Sequence, residues 1–188
     1  MSKNLRIHIP IQYYSAKGFY KNGRILAEQL SVESKVVNNT KVYELISVAT
    51  VNYSFAVELY LKLLIEYTTG HKKSGHNLEV LFKMLKDEIK LQIEEKYIKK
   101  KKIKNPDLKA FMFSMHSCNE RDSSKKSNIA NLSLSDLLRV HNSSFVEWRY
   151  LYEINSEEYY YYEYNFKLMD DFITSLIEVI KEHIDIIK

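Results

Sequence analysis

The sequence contains very little glycine, proline and cysteine. Its 188 residues include four Gly, two Pro and one Cys. So few turn-forming residues exclude a fold rich in hairpins, such as a β-sandwich or a β-barrel, and favour long helices. The single cysteine, Cys118, excludes an internal disulfide and any zinc module built from several cysteines, and it is typical of proteins from a reducing compartment.

Long hydrophobic runs are also missing. The most apolar run, residues 59–65, is interrupted by Lys62 and is far shorter than the ~20 residues of a membrane span. The first ten residues have neither the apolar core nor the cleavage pattern of a signal peptide. We therefore expect a cytoplasmic protein with no membrane association. The chain length suits a single domain over residues 1–188.

The formal net charge of +4 conceals an uneven distribution of charge. Residues 83–104 hold nine Lys and four acidic residues, whereas residues 153–188 hold nine acidic residues and three Lys. The two segments are expected to attract each other or partners of opposite charge. The densest basic run suits contact with nucleic acid phosphates, although an ordinary solvated charged face explains it as well. This run consists of Lys99, Lys100, Lys101 and Lys102.

Apolar residues recur at intervals of three and four along most of the chain, which predicts helices. The clearest one begins after Asn39 or Thr40, ends at Gly70 and is apolar over most of its circumference, so we expect it at the centre of a bundle. Another is predicted over residues 11–32, where Gly18 and Gly23 weaken it. Further helices are expected after Asn77, from a start at residues 105–107 through Met115, from Ser133 to about 151, and from Phe166 onward. Residues 117–131 are expected to form a mobile loop, and the tyrosine-rich residues 157–164 suit either a strand or a helix.

These patterns together predict an all-α bundle of about five to six helices with an up-and-down core. Within its central helix, Glu58 and Lys62 stand one turn apart among apolar residues. They form either a partly solvated ion pair or one side of a polar cleft, in which the Glu58 carboxylate orients a His or an Arg.

A second group of polar residues lies in the helix predicted after Ser133. On one continuous helix His141 and Arg149 would lie about 80° apart and border one groove, next to Asn142. A proton-transfer group beside a fixed cation suits phosphodiester chemistry or phosphate binding, although packing and an ion pair between Arg149 and Glu153 explain the segment too. The sequence contains no Gly-rich phosphate loop, HExxH motif or zinc-ligand set, so we expect no metal and no cofactor.

Three segments of the chain resemble a branch of the HEPN family, the higher eukaryote and prokaryote nucleotide-binding domains. They read AVELYLKLL at residues 56–64, GHNLEVLF at 75–82 and HNSSFVEWRYLYE at 141–153. The resemblance implies a bundle of four or five helices that commonly forms homodimers. It also implies roles in RNA cleavage, toxin–antitoxin pairs, phage defence or nucleotide-linked scaffolding. Glu58, Lys62 and His76 are motif positions of this branch, and His141 with Arg149 marks its polar helix.

The chain departs from the ribonuclease members of that family, which carry an Arg followed, after four to six residues, by a His. No Arg of this sequence has a His at that spacing. We therefore expect a defence or toxin–antitoxin associated module that engages RNA or a nucleotide at a dimer cleft lined by Glu58, His141 and Arg149. One alternative is a non-enzymatic dimerising module that docks a separately encoded protein. Another is a metal-independent ribonuclease that uses His141 as acid or base.

Overall fold

The computed structural model describes residues 3–115, 132–150 and 160–184. Within these ranges the chain forms helices packed around one apolar core, as the sequence predicts, together with one small antiparallel sheet. The elements are α1 (Lys3–Glu33), α2 (Lys41–Thr69), α3 (Leu78–Lys83), α4 (Asp87–Lys101), β1 (Ala110–Met115), α5 (Leu134–Val140), α6 (Ser144–Glu147), β2 (Tyr160–Asn165) and α7 (Phe166–His183).

Helices α1 and α2 form an antiparallel pair. The rings of Tyr13 and Tyr60 lie 5.8 Å apart near one end of the pair, and those of Tyr20 and Tyr53 lie 5.8 Å apart further along it. Between the two helices there is no room for a side chain at Gly23, because a Cβ there would lie 2.9 Å from Cδ2 of Tyr53. The glycine that weakens α1 as an isolated helix therefore permits its close approach to α2.

Helix α2 is the centre of the bundle, as its apolar circumference predicts. The helix ends where expected, at Gly70, which adopts a left-handed conformation with φ 74° and donates its N–H to the Glu66 carbonyl. By length and composition α2 would also suffice to cross a membrane, but 67% of its most apolar window is buried inside the protein. A buried central helix passes the same test as a membrane span.

Helix α7 runs parallel to α2 and antiparallel to α4. Asp170 of α7 accepts hydrogen bonds from the hydroxyls of Tyr20 and Tyr53, which ties α7 to both α1 and α2. On the other side, Lys96 and Lys100 of α4 pair with acidic residues of α7, with Lys100 Nζ 2.6 Å from Glu178 Oε1. Part of the basic segment therefore pairs with part of the acidic segment within the chain.

The prediction of a helix that starts at residues 105–107 and continues to Met115 is wrong. Asn105 Oδ1 accepts from the N–H of Asp107, which closes a local turn, and the chain continues as β1. This strand pairs antiparallel with β2, in a register that places Ala110 opposite Asn165. Pairing of β1 with the distant strand β2 overrides the local helix-start signal of residues 105–107. Residues 160–165 of the tyrosine-rich tract are therefore extended, and the loop expected at residues 117–131 lies outside the described residues.

The helix predicted from Ser133 begins as expected but is not continuous. Ser133 Oγ accepts from the N–H of Asp136, which caps the helix, and donates to the Asp136 carboxylate. Helix α5 then ends at Val140, a turn follows at residues 141–143, and α6 is a single turn. Because the helix is broken at His141, the angle expected between His141 and Arg149 does not apply.

Candidate functional site

A buried carboxylate on α2 is the starting point of the candidate site. The side chain of Glu58 is 2% exposed, yet it lies on a helix whose neighbouring positions are apolar. Lys62, one turn later, donates to Glu58 Oε1 at 2.7 Å. An ionised carboxylate is costly to bury unless it is paired and hydrogen-bonded, and Lys62 satisfies only one of its two oxygens.

His76 binds the second oxygen. Its Nδ1 lies 2.9 Å from Glu58 Oε2, and its side chain remains 54% exposed. His76 lies on the loop between α2 and α3, directly after Gly75, which adopts a left-handed φ of 99°. Asn77 after it caps α3 by accepting from the N–H of Val80.

The third component comes from α6 and the residues directly after it. The Phe145 ring stacks on Phe55 of α2 at 4.9 Å and on the His76 ring at 5.5 Å. The guanidinium carbon of Arg149 lies 5.0 Å from the centre of the Phe145 ring and 5.3 Å from that of Tyr150. Arg149 is exposed, so its guanidinium faces solvent at the edge of this aromatic group.

We call this group the His76 cluster, and it consists of Glu58, Lys62, His76, Phe145 and Arg149. Because a carboxylate can only accept, a neutral His76 must carry its proton on Nδ1 and present a lone pair on Nε2. Nε2 has no hydrogen-bond partner among the residues that the structure describes. The cluster therefore offers an oriented imidazole and an exposed guanidinium around one ring, a combination that suits anions and flat aromatic groups.

His141 does not belong to this cluster, and the expected groove between His141 and Arg149 is wrong. His141 is 0% exposed and packs on the Tyr164 ring at 4.7 Å, so it borders no groove. Its Nε2 accepts from the backbone N–H of Asn165, at the junction of β2 and α7. Its Nδ1 makes no hydrogen bond to any described residue.

Burial lowers the pKa of His141 to about 3, and the backbone carbonyl of Leu137 opposes only a smaller part of this effect. The imidazole is therefore neutral at physiological pH and joins the turn after α5 to the start of α7. This is the environment of a structural histidine rather than of a proton-transfer group open to a substrate.

The other predicted binding residues are dispersed. Asn142 accepts from the N–H of Leu78 through its backbone carbonyl and from Ser143 Oγ through its side chain, so it connects the turn after α5 to α3. In the basic run, Lys100 pairs with Glu178 and Lys101 donates to the Leu132 carbonyl. Lys99 and Lys102 are exposed and form no ion pair with the described part of the chain. The run therefore does not present four equivalent cations.

The sequence analysis names His76 as a motif position of the resembling family but does not include it among the residues expected to line the binding cleft. The available signal was the position of Glu58 on the central helix, from which a carboxylate is expected to orient a His or an Arg. Among the described residues no group of three or more His, Cys, Asp or Glu side chains is placed to hold a metal ion.

Comparisons with models of protein families, with curated proteins and with solved structures find no match. The resemblance to HEPN proteins therefore stays a prediction.

Proposed function

We propose that this protein is an HEPN-like module, associated with defence or with a toxin–antitoxin pair, that engages RNA or a nucleotide at the His76 cluster. One observation carries the proposal. The three segments that resemble the family are separate stretches of the sequence, and each contributes to the same contact group. Glu58 comes from the first, His76 from the second, and Phe145 with Arg149 from the third.

The charge of the surroundings supports an anionic ligand. Within the cluster the one carboxylate, that of Glu58, is buried and paired with Lys62, whereas Arg149 is exposed. The loop that carries His76 also holds the exposed Lys72 and Lys73, and Lys72 Nζ approaches His8 of α1 at 3.2 Å. An exposed guanidinium beside aromatic rings can bind a phosphate and stack against a base.

The test is binding of a fluorescein-labelled oligouridylate of about 12 nucleotides, followed by anisotropy at about 50 mM salt. Arg149→Ala should weaken binding by about tenfold, the loss expected when a charge-assisted hydrogen bond to phosphate is removed. Arg139→Ala is the control, because Arg139 is also an exposed arginine, lies ten residues earlier in the chain and pairs with Asp136. It should change the affinity by less than about twofold.

Two results would contradict the proposal. The first is equal loss of affinity in Arg149→Ala and Arg139→Ala, which would indicate only a general effect of charge. The second is a failure of the wild-type protein to bind either the oligouridylate or AMP. Melting temperatures of both variants should lie close to that of the wild type, because both side chains are exposed.

A second candidate function is metal-independent RNA cleavage with His76, rather than His141, as the proton-transfer group. The contact between His76 and Glu58 favours it, because a carboxylate that holds Nδ1–H orients the opposite nitrogen towards a substrate. Purified protein should then cut the oligouridylate in EDTA, and His76→Gln should abolish the cut. Cleavage that persists in His76→Gln would exclude this role.

We also propose a homodimer, as the resemblance implies, and the surface of the α1–α2 pair supports it. Large apolar side chains are exposed there, including Ile11 at 60%, Tyr14 at 52% and Ile25 at 54% on α1, and Val48 at 50% on α2. Such a surface would equally serve the alternative function, a non-enzymatic module that docks a separately encoded protein. Sedimentation equilibrium decides the point, since a monomer at micromolar concentration would contradict the homodimer.

A further inference from the structure

We infer that α1 pairs antiparallel with α1 of a second copy of this chain, with Gly18 of both copies at the two-fold axis. This pairing forms the interface of the homodimer proposed above, so the inference rests on that part of the proposed function. The occupant of the exposed face of α1 is therefore the same face of another copy.

One face of α1 is both exposed and uncharged. At 100° per residue, seven of the positions whose side chains are described lie within about 40° of Gly18, counting Gly18 itself. All seven are exposed, and none carries a formal charge. They are Ile11, Tyr14, Gly18, Asn22, Ile25, Gln29 and Val32. The helix packs on α2 through a different face, which holds the buried Tyr13 and Tyr20.

The apolar residues of this face recur every seven positions. Ile11 is 60% exposed, Ile25 is 54% exposed and Val32 is 62% exposed, and Gly18 occupies the remaining position of the row. A seven-residue repeat of apolar residues is typical of the seam between two paired helices. On a helix that faces only solvent, such positions usually carry polar or charged side chains. The row therefore suits a second helix.

Gly18 has no role within a single copy of the chain. A glycine inside a helix is destabilising relative to alanine. Gly23 of the same helix is explained by the close approach of α2, but a Cβ at Gly18 would meet nothing within 4 Å. Because Gly18 interrupts a row of large apolar side chains, it leaves the place at which a second helix comes closest to α1.

The row is symmetric about this glycine. Ile11 precedes Gly18 by seven residues, and Ile25 follows it by seven. In an antiparallel two-fold pair centred on Gly18, Ile11 of each copy therefore lies beside Ile25 of the other. The same register brings Lys21 of one copy next to Tyr14 of the other, so that the ammonium can lie over the ring. A partner of unrelated sequence would not require this symmetry, which favours a second copy.

The direction of the pairing follows from the same register and from the helix dipoles. Antiparallel pairing places the positive N-terminal end of each α1 beside the negative C-terminal end of the other. Parallel pairing would place ends of like sign together. We therefore expect the antiparallel arrangement.

Sedimentation equilibrium at micromolar concentration measures the dissociation constant of the dimer. Ile11→Gln should weaken dimerisation by at least about tenfold, because two-fold symmetry removes the apolar contact twice. Gly18→Gln should weaken it at least as much, since a long side chain then stands at the axis from both copies. The matched control is Leu91→Gln, because Leu91 of α4 is 59% exposed. It should change the dissociation constant by less than about twofold.

Cross-linking tests the direction. The background is Cys118→Ser, which removes the only cysteine of the chain. Ile11→Cys and Ile25→Cys variants are treated with a short bismaleimide, each alone and as an equimolar mixture. The antiparallel pair predicts efficient cross-linking only in the mixture, because equivalent positions lie about 21 Å apart along the pair. Gly18→Cys should cross-link with itself.

The possible failures are distinguishable. A dimer that Ile11→Gln and Leu91→Gln affect equally, or one in which positions 11 and 25 cross-link only with themselves, overturns this interface and leaves the homodimer and the His76 cluster as proposed. A wild-type protein that stays monomeric overturns the interface and the homodimer together. That result is expected if the face docks a separately encoded protein instead.

Discussion

Acidification should destabilise this protein through one buried histidine, His141. The pKa of His141 is about 3 in the folded protein, against the ordinary value of 6.5 expected in the unfolded chain. Between these two values the unfolded chain binds a proton that the folded protein does not bind. The free energy of unfolding must therefore fall as the pH falls.

The size of the effect follows from this difference. Each pH unit below about 6.5 removes about 1.4 kcal/mol of stability, so the loss between pH 6.5 and pH 4.5 is roughly 3 kcal/mol. Above about pH 6.5 the contribution is fully present and does not change. For a domain of ordinary stability, about 5–15 kcal/mol, such a loss is large.

Urea unfolding followed by circular dichroism, at several pH values from about 7.5 to about 4.5, measures this slope. His141→Gln keeps an acceptor for the N–H of Asn165 but does not titrate. The slope of its stability against pH should therefore be smaller than that of the wild type by about 1.4 kcal/mol per pH unit. His71→Gln, the same change at an exposed loop residue, should follow the wild type. Parallel curves for His141→Gln and the wild type would refute the assignment of His141 as a neutral buried group.

Two further predictions concern packing and buried polar contacts. Gly23→Ala should lower the free energy of unfolding by about 1–3 kcal/mol, because its Cβ would clash with the Tyr53 ring, whereas Gly18→Ala, with open space around it, should raise it by about 0.5–1 kcal/mol. Equal effects of the two would contradict the close approach of α1 and α2. Asp170→Ala should cost about 2–4 kcal/mol, since it leaves the hydroxyls of Tyr20 and Tyr53 without their shared acceptor. A loss below about 1 kcal/mol would show that this contact is dispensable.

Local signals in the sequence predicted helix ends well. The left-handed stop at Gly70 and the N-caps at Asn77 and Ser133 all occur where expected. Each depends on a hydrogen bond between residues no more than four positions apart, so the necessary information lies within one short stretch of sequence.

Predictions failed where a distant segment decided the conformation. Residues 105–107 have the residue types of a helix start, but β2 is available for pairing and the chain becomes β1. The helix expected from Ser133 to about 151 stops at His141, whose ring accepts from the N–H of Asn165, 24 residues later in the chain. Neither partner can be recognised from local periodicity.

The contacts of the candidate site likewise include some that follow from local sequence and others that depend on tertiary packing. The sequence alone determined that Glu58 and Lys62 lie within reach of each other, because two residues one turn apart on a helix share a face whatever surrounds them. Only the tertiary structure brought His76 and Arg149 to that carboxylate and its neighbouring ring, and only it buried His141. Contacts between separate helices and loops depend on how these elements pack, and helical periodicity carries no information about that packing.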